Sequence, residues 1–180
     1  MNNQKLTGYP SIDKPWLKYY SEAAINAPLP ERTVWENICE RNKNHLTDTA
    51  LLYFGKKTSY GKLFSEIDKT AKALAYLGVK NGDNVAICMP AVPEAIYTIL
   101  ALNKLGANAG MLNPTFNEVQ LTDRVNEMEA EVLIVVNELY ATMQNVIPKT
   151  SIKHIVTCPA ANSLGAFVRM AKKVKPISGT

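Results

Sequence analysis

Residues that build metal sites and disulfide frameworks are scarce in this 180-residue sequence. It contains three cysteines, Cys39, Cys88 and Cys158, and two histidines, His45 and His154, all far apart. No C-x-x-C pair is present, and this spacing argues against a structural zinc site. We expect the cysteines to be reduced and mostly buried, as in a cytoplasmic protein.

Long apolar runs are also missing. A membrane-spanning helix needs about 20 apolar residues, and the longest candidate, residues 95–112, is interrupted by polar residues and a glycine. The first residues lead into proline and aromatic residues rather than an apolar signal core, so the sequence predicts no secretory signal. The net charge is only +4, and residues 169–175 supply part of it, so we predict no nucleic-acid partner.

Common phosphate and nucleophile motifs do not occur. No G-x-G-x-x-G follows a predicted strand, and neither a G-x-x-x-x-G-K-[ST] loop nor a G-x-S-x-G elbow is present. Residues 178–180 resemble a piece of a phosphate loop, but the further glycines and the lysine are lacking, and we attribute the match to chance. His154 lies in a predicted strand and is interpreted as a structural residue.

A regular pattern of strands and helices does extend over residues 57–115. Ser59 can cap the first helix, and Gly78 follows its end, where glycine is common. Apolar residues at helical spacing predict its buried face. That face is predicted to contain Leu63, Phe64, Ile67, Ala71, Leu74 and Ala75.

The pattern continues with a buried strand and a second helix. Residues 85–89 form a continuous apolar run, typical of a strand that is buried on both faces. Pro93 suits the first turn of the next helix, and Gly106 ends that helix before a strand over residues 107–112. Because strands and helices alternate, the unit is typical of parallel α/β architecture.

Three regions are predicted along the chain. Residues 1–32 are rich in proline and aromatic residues and are expected to form an arm that wraps over a larger body, with one short helix near residues 16–24. Residues 33–160 are expected to form an α/β subdomain, starting with a capping box at Thr33. Residues 161–180 are expected to form a basic amphipathic helix and tail. Its apolar side could lie on a membrane surface, although packing on protein is more common.

The remaining elements support an α/β fold. We predict a hairpin over residues 50–57, a helix that starts near Asn117, a strand over 132–136, a helix over 139–146 and a strand over 152–157. Together with the pattern above, they predict a mostly parallel sheet with helices on both faces.

Polar residues follow the predicted strands at their carboxyl ends, where such sheets bind ligands. The loop at residues 113–116 is either a strand exit with a helix cap or a loop that lines a ligand. On the helix that follows, Arg124 is expected to pair with a nearby acid, Glu127 or Glu131.

Five short motifs occur in an order that resembles a known family. The order resembles the N-terminal part of adenylate-forming enzymes over roughly residues 14–158, and it is most similar to the AMP-forming acyl-CoA synthetases. The arm, the Asn-Pro strand exit and the helix of Arg124 are similar to long-chain fatty-acid CoA ligases. The motifs are T-S-Y-x-x-L at 58–63, G-V-x-x-G-D-x-V-A at 78–86, M-P-x-x-P-E at 89–94, K-L-G-A at 104–107 and N-P-T-F at 113–116.

The resemblance implies the function of a parent enzyme. Such an enzyme activates a fatty or other carboxylic acid with ATP and Mg²⁺ to an acyl-adenylate, and it then transfers the acyl group to CoA. The family's phosphate loop and its later motifs have no counterpart here. The resemblance therefore implies an N-terminal fragment that is inactive alone, binds none of these cofactors tightly, and contains no catalytic or metal-binding residues.

The resemblance assigns one candidate site. Asn113, Pro114 and Thr115 correspond to a segment that approaches the CoA nucleotide in some relatives. One departure lies just before it, because Gly110 and Met111 replace the branched residues that are often found there.

A different class of function stays open. The chain could be a non-catalytic α/β scaffold or binding module.

A homo-oligomer is also predicted. In a fragment, the surfaces that normally contact the rest of the enzyme would be exposed, and exposed apolar patches favour self-association.

Overall fold

The computed structural model describes residues 6–159 and divides into two compact units, Met1–Glu31 and Arg32–Thr180. Over residues 6–31, the first unit contains only short helices. They are α1 (Pro10–Asp13), a 3-10 helix (Pro15–Tyr19) and α2 (Glu22–Ile25).

The prediction of a single helix near residues 16–24 is wrong. Tyr20 is extended, with φ −107° and ψ 145°, and the Ser21 hydroxyl starts α2 by accepting a hydrogen bond from the backbone N–H of Ala24 at 3.2 Å. Aromatic side chains are usually buried, but Trp16 and Tyr19 are exposed. The short helices of this unit therefore do not bury them. The wrapping role of the arm stays a prediction.

The second unit begins with a capped helix and a hairpin. At the start of α3 (Val34–Asn42), the Thr33 N–H donates to the Glu36 carboxylate at 2.8 Å and the Glu36 N–H donates to the Thr33 hydroxyl at 3.1 Å. The predicted capping box is therefore confirmed. The two short strands that the sequence predicts here are β1 (Thr49–Tyr53) and β2 (Lys56–Ser59), which pair antiparallel. Lys56 and Lys57, predicted in the turn, belong to β2.

The central pattern of the sequence is also confirmed. The elements are α4 (Tyr60–Tyr76), β3 (Asn84–Cys88), α5 (Pro93–Leu105) and β4 (Asn108–Met111). Ser59 caps α4 by accepting a hydrogen bond from the Lys62 N–H at 3.3 Å.

The buried face of α4 is narrower than the sequence suggests. Leu63, Ile67 and Leu74 are buried as predicted, and Phe64 is half-buried. Ala75 is exposed, which corrects its predicted place in the core. The reason is geometric, because one residue turns a helix by about 100°, and Ala75 therefore faces away from the side that Leu74 buries.

Four elements complete the second unit within the described residues. They are α6 (Glu118–Glu127), β5 (Val132–Val136), α7 (Tyr140–Val146) and β6 (His154–Cys158). The helix predicted over residues 139–146 is confirmed as α7, and a separate 3-10 turn over Asn137–Leu139 precedes it. The basic helix predicted within residues 161–180 lies outside the described residues.

Strands β3 to β6 form one parallel sheet in the order β4-β3-β5-β6. Alternate residues of β3 point to opposite faces. Val85 and Ile87 join α4 and α5 in one core, whereas Ala86 and Cys88 join α6 and α7 in the other. The predicted α/β class, with a parallel sheet and helices on both faces, is confirmed.

The connections reverse direction at β3. From β3 the chain crosses to β4 through α5, on the face of the first core, and from β4 it returns past β3 to β5 through α6, on the face of the second core. In open α/β sheets, such a reversal opens a crevice outside the carboxyl ends of the strands.

The glycine before the Asn-Pro strand exit has a packing role. A Cβ on Gly110 would overlap the sulfur of Met128, which lies at the end of α6 and partly covers β4. Glycine at position 110, in place of the branched residue expected there, therefore leaves room for the side chain of Met128 against β4.

Gly106 is predicted to tolerate substitution less well than Gly78. Both residues have positive φ, 73° and 92°, so alanine at either position should cost about 1 kcal/mol. At Gly106 the added Cβ would also overlap the amide oxygen of Asn81, whereas nothing lies within 4 Å at Gly78. Because the exposed Asn81 side chain can move aside, urea unfolding should show a loss of stability for Gly106→Ala that is larger by only a few tenths of a kcal/mol.

The Asn81→Ala background is the control. There the cost of Gly106→Ala should fall to that of Gly78→Ala, because the overlapping amide is gone. Equal costs for both glycines in the unaltered chain would contradict the overlap.

Candidate functional site

The carboxyl edge of the sheet brings three loops together. They follow the neighbouring strands β3, β4 and β5, at residues 89–92, 112–116 and 137–139. The backbone N–H of Leu112 donates to the carbonyl of Ile87 at 2.8 Å, so the exit of β4 is held beside β3. The loop with the Asn-Pro motif therefore lies at the carboxyl edge next to the switch point, which this strand order places between β3 and β5.

The side chain of Asn113 shapes this loop. Its Oδ1 accepts hydrogen bonds from the backbone N–H of Thr115 at 3.0 Å and from the Thr115 hydroxyl at 2.9 Å. The N–H of Phe116 also donates to the Asn113 carbonyl at 3.1 Å. This is an Asx-type turn, and it explains why asparagine and threonine flank the half-buried Pro114.

The turn presents polar groups to solvent but carries no charge. Asn113 and Thr115 are both exposed. The Thr115 hydroxyl can still accept a hydrogen bond, and the Asn113 amide nitrogen can donate one. The loop can therefore position a polar ligand, whereas it has no charged side chain and no base that would activate the Thr115 hydroxyl.

Two other candidates from the sequence lie outside this loop. Arg124 pairs with Glu127, one of its two predicted partners, in an exposed ion pair on α6. Glu131, the other candidate, pairs instead with Lys153. His154 is exposed on β6, at the opposite end of the strand from the carboxyl edge. These residues do not join the loop at 113–116.

An apolar cleft of about 370 Å³ opens beside the same edge, and sequence reasoning missed it. Residues from β1, the exit of β3, α5 and β4 form its walls, and none of them is charged. The signal in the sequence is weak, because these segments are distant along the chain. The lining comprises Leu51, Leu52, Tyr53, Met89, Pro90, Ala91, Val92, Pro93, Ala95, Ile96, Ile99 and Met111.

A second cleft, of about 540 Å³, follows α4 above β5 and β6. Its rim carries Lys56, Lys62 and Lys69. The Glu66 carboxylate binds Lys62 at 2.6 Å and Lys69 at 3.2 Å, and the hydrogen bond from Lys62 lowers the pKa of Glu66. The positive charge of this rim is therefore partly neutralised within the helix itself.

The cysteines do not form a nucleophilic site. Burial raises the pKa of Cys88 to about 11, and burial together with the nearby carboxylates of Glu94 and Glu138 raises the pKa of Cys158 to about 11. Burial also raises the pKa of Cys39. All three thiols are free, and these shifts keep them protonated near neutral pH, where a thiolate would be needed for attack.

Within residues 6–159, no three histidine, cysteine, aspartate or glutamate side chains come close enough together to hold a metal ion. Over the same residues, no helix combines the length and the apolar character that crossing a membrane requires.

The fold and the site define a class of protein. It is an α/β domain whose polar loop and apolar cleft lie together at the carboxyl edge of a parallel sheet, next to a switch point. Residues 38–175 match the family model of AMP-binding enzymes. This match covers most of the chain, and the chain therefore belongs to the AMP-binding enzyme family.

Individual relatives agree with this assignment. An acetyl-coenzyme A synthetase of Helicobacter acinonychis (strain Sheeba) is 28% identical over an alignment of 193 positions. The alignment covers 98% of this chain and 28% of that protein. The structure of an anthranilate CoA ligase in complex with anthranoyl-AMP is 25% identical, with a TM-score of 0.67, over 72% of this chain and 26% of that one.

A third relative shares the fold. The structure of a long-chain-fatty-acid-CoA ligase from Archaeoglobus fulgidus has a TM-score of 0.68 at 20% identity, over 81% of this chain and 30% of that one. In all three comparisons the chain spans less than a third of the relative's length.

The thiol of Cys158 is predicted to react slowly and with a steep dependence on pH. Because its pKa is raised to about 11, the thiolate fraction should grow about tenfold per pH unit throughout the range from about pH 7.5 to 9.5. The rate of iodoacetamide labelling, followed by peptide mass spectrometry, should rise in the same way. A rise that falls well below tenfold per pH unit above about pH 8.5 would show an ordinary thiol and contradict the shift.

Proposed function

We propose that this chain is the N-terminal portion of a ligase that activates a carboxylic acid with ATP to an acyl-adenylate and transfers the acyl group to CoA. The observation that carries the proposal is the family match over residues 38–175. It is supported by the structural likeness to an anthranilate CoA ligase that holds an acyl-adenylate.

The acid that such a ligase would activate has two candidates. The three relatives described above are named for acetate, anthranilate and long-chain fatty acids. We propose a fatty acid, following the resemblance of the motifs. Acetate is the second candidate, because the relative that aligns with nearly the whole chain is an acetyl-coenzyme A synthetase.

The chain alone is proposed to be inactive. Adenylate formation requires positive groups and a metal ion around a polyphosphate. The sequence has no glycine-rich loop that ends in Pro-Lys, and residues 6–159 offer no group of side chains suited to Mg²⁺. We therefore assign the ATP and Mg²⁺ contacts of the ligase to other parts of the polypeptide.

The loop at Asn113, Pro114 and Thr115 is proposed to lie near CoA. Three features support this role, namely its place at the carboxyl edge of the sheet, its exposure and its preformed turn. Its uncharged groups suit hydrogen bonds to a nucleotide rather than catalysis. No catalytic residue is assigned to this chain.

A scaffold or binding module is the rival function. The family match argues against a scaffold function for a longer protein that contains this segment. It does not argue against a scaffold function for the 180-residue chain alone. The discriminating observation is whether the same reading frame encodes a glycine-rich loop ending in Pro-Lys. Contact with a membrane surface, self-association and a cytoplasmic location stay predictions.

The 180-residue chain is predicted to catalyse no ATP–pyrophosphate exchange with acetate or palmitate. A longer ligase that contains this segment should catalyse exchange with one of the two acids. The measurement is incorporation of labelled pyrophosphate into ATP. Exchange by the 180 residues alone would contradict their proposed incompleteness, and no exchange by the longer protein with any carboxylic acid would contradict the ligase function.

The CoA loop is tested by Asn113→Ala and Thr115→Ala in the longer ligase. Each change removes one partner of the turn, and we expect the KM for CoA to rise about 2- to 10-fold, as for the loss of one hydrogen bond. The KM for ATP should stay unchanged.

Asn126→Ala is the matched control for this loop. Asn126 is an exposed asparagine on α6 whose amide donates to the carbonyl of Lys149 at 3.2 Å, so its loss should leave the KM for CoA unchanged. An unchanged KM in both loop variants, or an equal rise in the control, would contradict the assignment.

A further inference from the structure

We propose that Asn81 is a site of spontaneous deamidation, and that the carboxylate left by this reaction weakens the amino edge of the sheet. The sequence contains a single Asn-Gly pair, Asn81 and Gly82. The pair lies in the connection between α4 and β3, and both residues are exposed. This site is at the opposite edge of the sheet from the proposed CoA loop and requires no ligase activity.

The reaction needs only these two residues and water. The backbone nitrogen of Gly82 loses its proton to solvent and attacks the side-chain carbon Cγ of Asn81. The Cγ–Nδ2 bond breaks, and the nitrogen takes up a proton and leaves as ammonia. Water then opens the cyclic imide at either carbonyl, which gives aspartate or isoaspartate. Because glycine has no Cβ, its nitrogen can approach Cγ closely.

The surrounding turn controls how often the two groups meet. The Asp83 N–H donates to the Lys80 carbonyl at 3.2 Å, and the Lys80 N–H donates to the Asp83 carboxylate at 3.0 Å. Inside this turn, the Gly82 N–H donates to the Gly106 carbonyl at 2.9 Å. That hydrogen bond engages the attacking nitrogen, so the reaction proceeds when the turn opens locally.

The charge of the product falls at an unfavourable place. The amide oxygen of Asn81 lies against Gly106, where an added Cβ would overlap it, and Gly106 is the C-cap of α5. A negative charge near a helix C-terminus opposes the helix dipole. Lys104, the cation in the last turn of this helix, already pairs with Asp68. Deamidation should therefore destabilise the second unit.

The test is incubation of the 180-residue chain at mildly alkaline pH, with and without urea, followed by peptide mass spectrometry. The peptide that contains Asn81 should gain about 1 Da, in aspartate and isoaspartate forms that chromatography separates. The rate in the folded chain should be about 3- to 100-fold below the rate in urea, as for a turn that opens locally. A still lower folded rate would overturn the site, and equal rates would overturn the control by the turn.

Asp83→Ala tests that control. The change removes the carboxylate that accepts the Lys80 N–H, so the turn should open more often. Deamidation of the folded chain should become about 2- to 10-fold faster, as for the loss of one hydrogen bond, and the rate in urea should not change.

Asp48→Ala is the matched control. Asp48 is an exposed aspartate in another loop, where its carboxylate contacts the His45 ring at 2.9 Å. Its loss should leave both rates unchanged. An unchanged folded rate in Asp83→Ala, or an equal rise in Asp48→Ala, would overturn the role of the turn.

Asn81→Asp tests the consequence, because it makes one product directly, and its urea midpoint should lie below that of the unaltered chain. Asn117→Asp is the control with the opposite expectation. Asn117 caps α6 by accepting a hydrogen bond from the Gln120 N–H at 3.0 Å, where aspartate caps equally well and its charge is favourable. Its midpoint should stay the same or rise. An Asn81→Asp midpoint at or above that of the unaltered chain would overturn the destabilisation.

Discussion

The pairing of β3 with two parallel neighbours is the constraint on which the second unit depends. Its five residues bond to β4 on one side and to β5 on the other, and four of them are buried. Because the strand is covered on both faces, each core needs its own helices, α4 and α5 on one face and α6 and α7 on the other. Without β3, the two cores would lose the central strand that contributes side chains to both of them.

The same arrangement creates the site. Since the chain leaves β3 towards one face of the sheet and the neighbouring β5 towards the other, their exits diverge and leave space at the carboxyl edge. The Asx-type turn of Asn113 fills one side of that space with polar groups, and the apolar cleft lies on the other. Such a site can hold and orient ligands, whereas its polar loop and apolar cleft carry none of the charged groups that the proposed adenylate formation would need.

Local signals made much of the fold predictable from the sequence. The Thr33 capping box, the proline that starts α5 and the apolar run of β5 act over a few residues, and the structure confirms each of them. Features that depend on tertiary contacts were not predictable. Examples are the overlap of Met128 with a Cβ at Gly110 and the meeting of Leu52 with Met111 in the cleft, because these residues are distant along the chain.

In the proposed CoA ligase, the carboxyl edge of this sheet faces the substrates. Hydrogen–deuterium exchange of the longer ligase, with and without CoA, measures this orientation. CoA should slow exchange at the amides of residues 115–117 and leave those of Gly78 and Gly82, at the opposite edge of the sheet, unchanged. Unaltered exchange at residues 115–117, in an enzyme that turns over CoA, would contradict it.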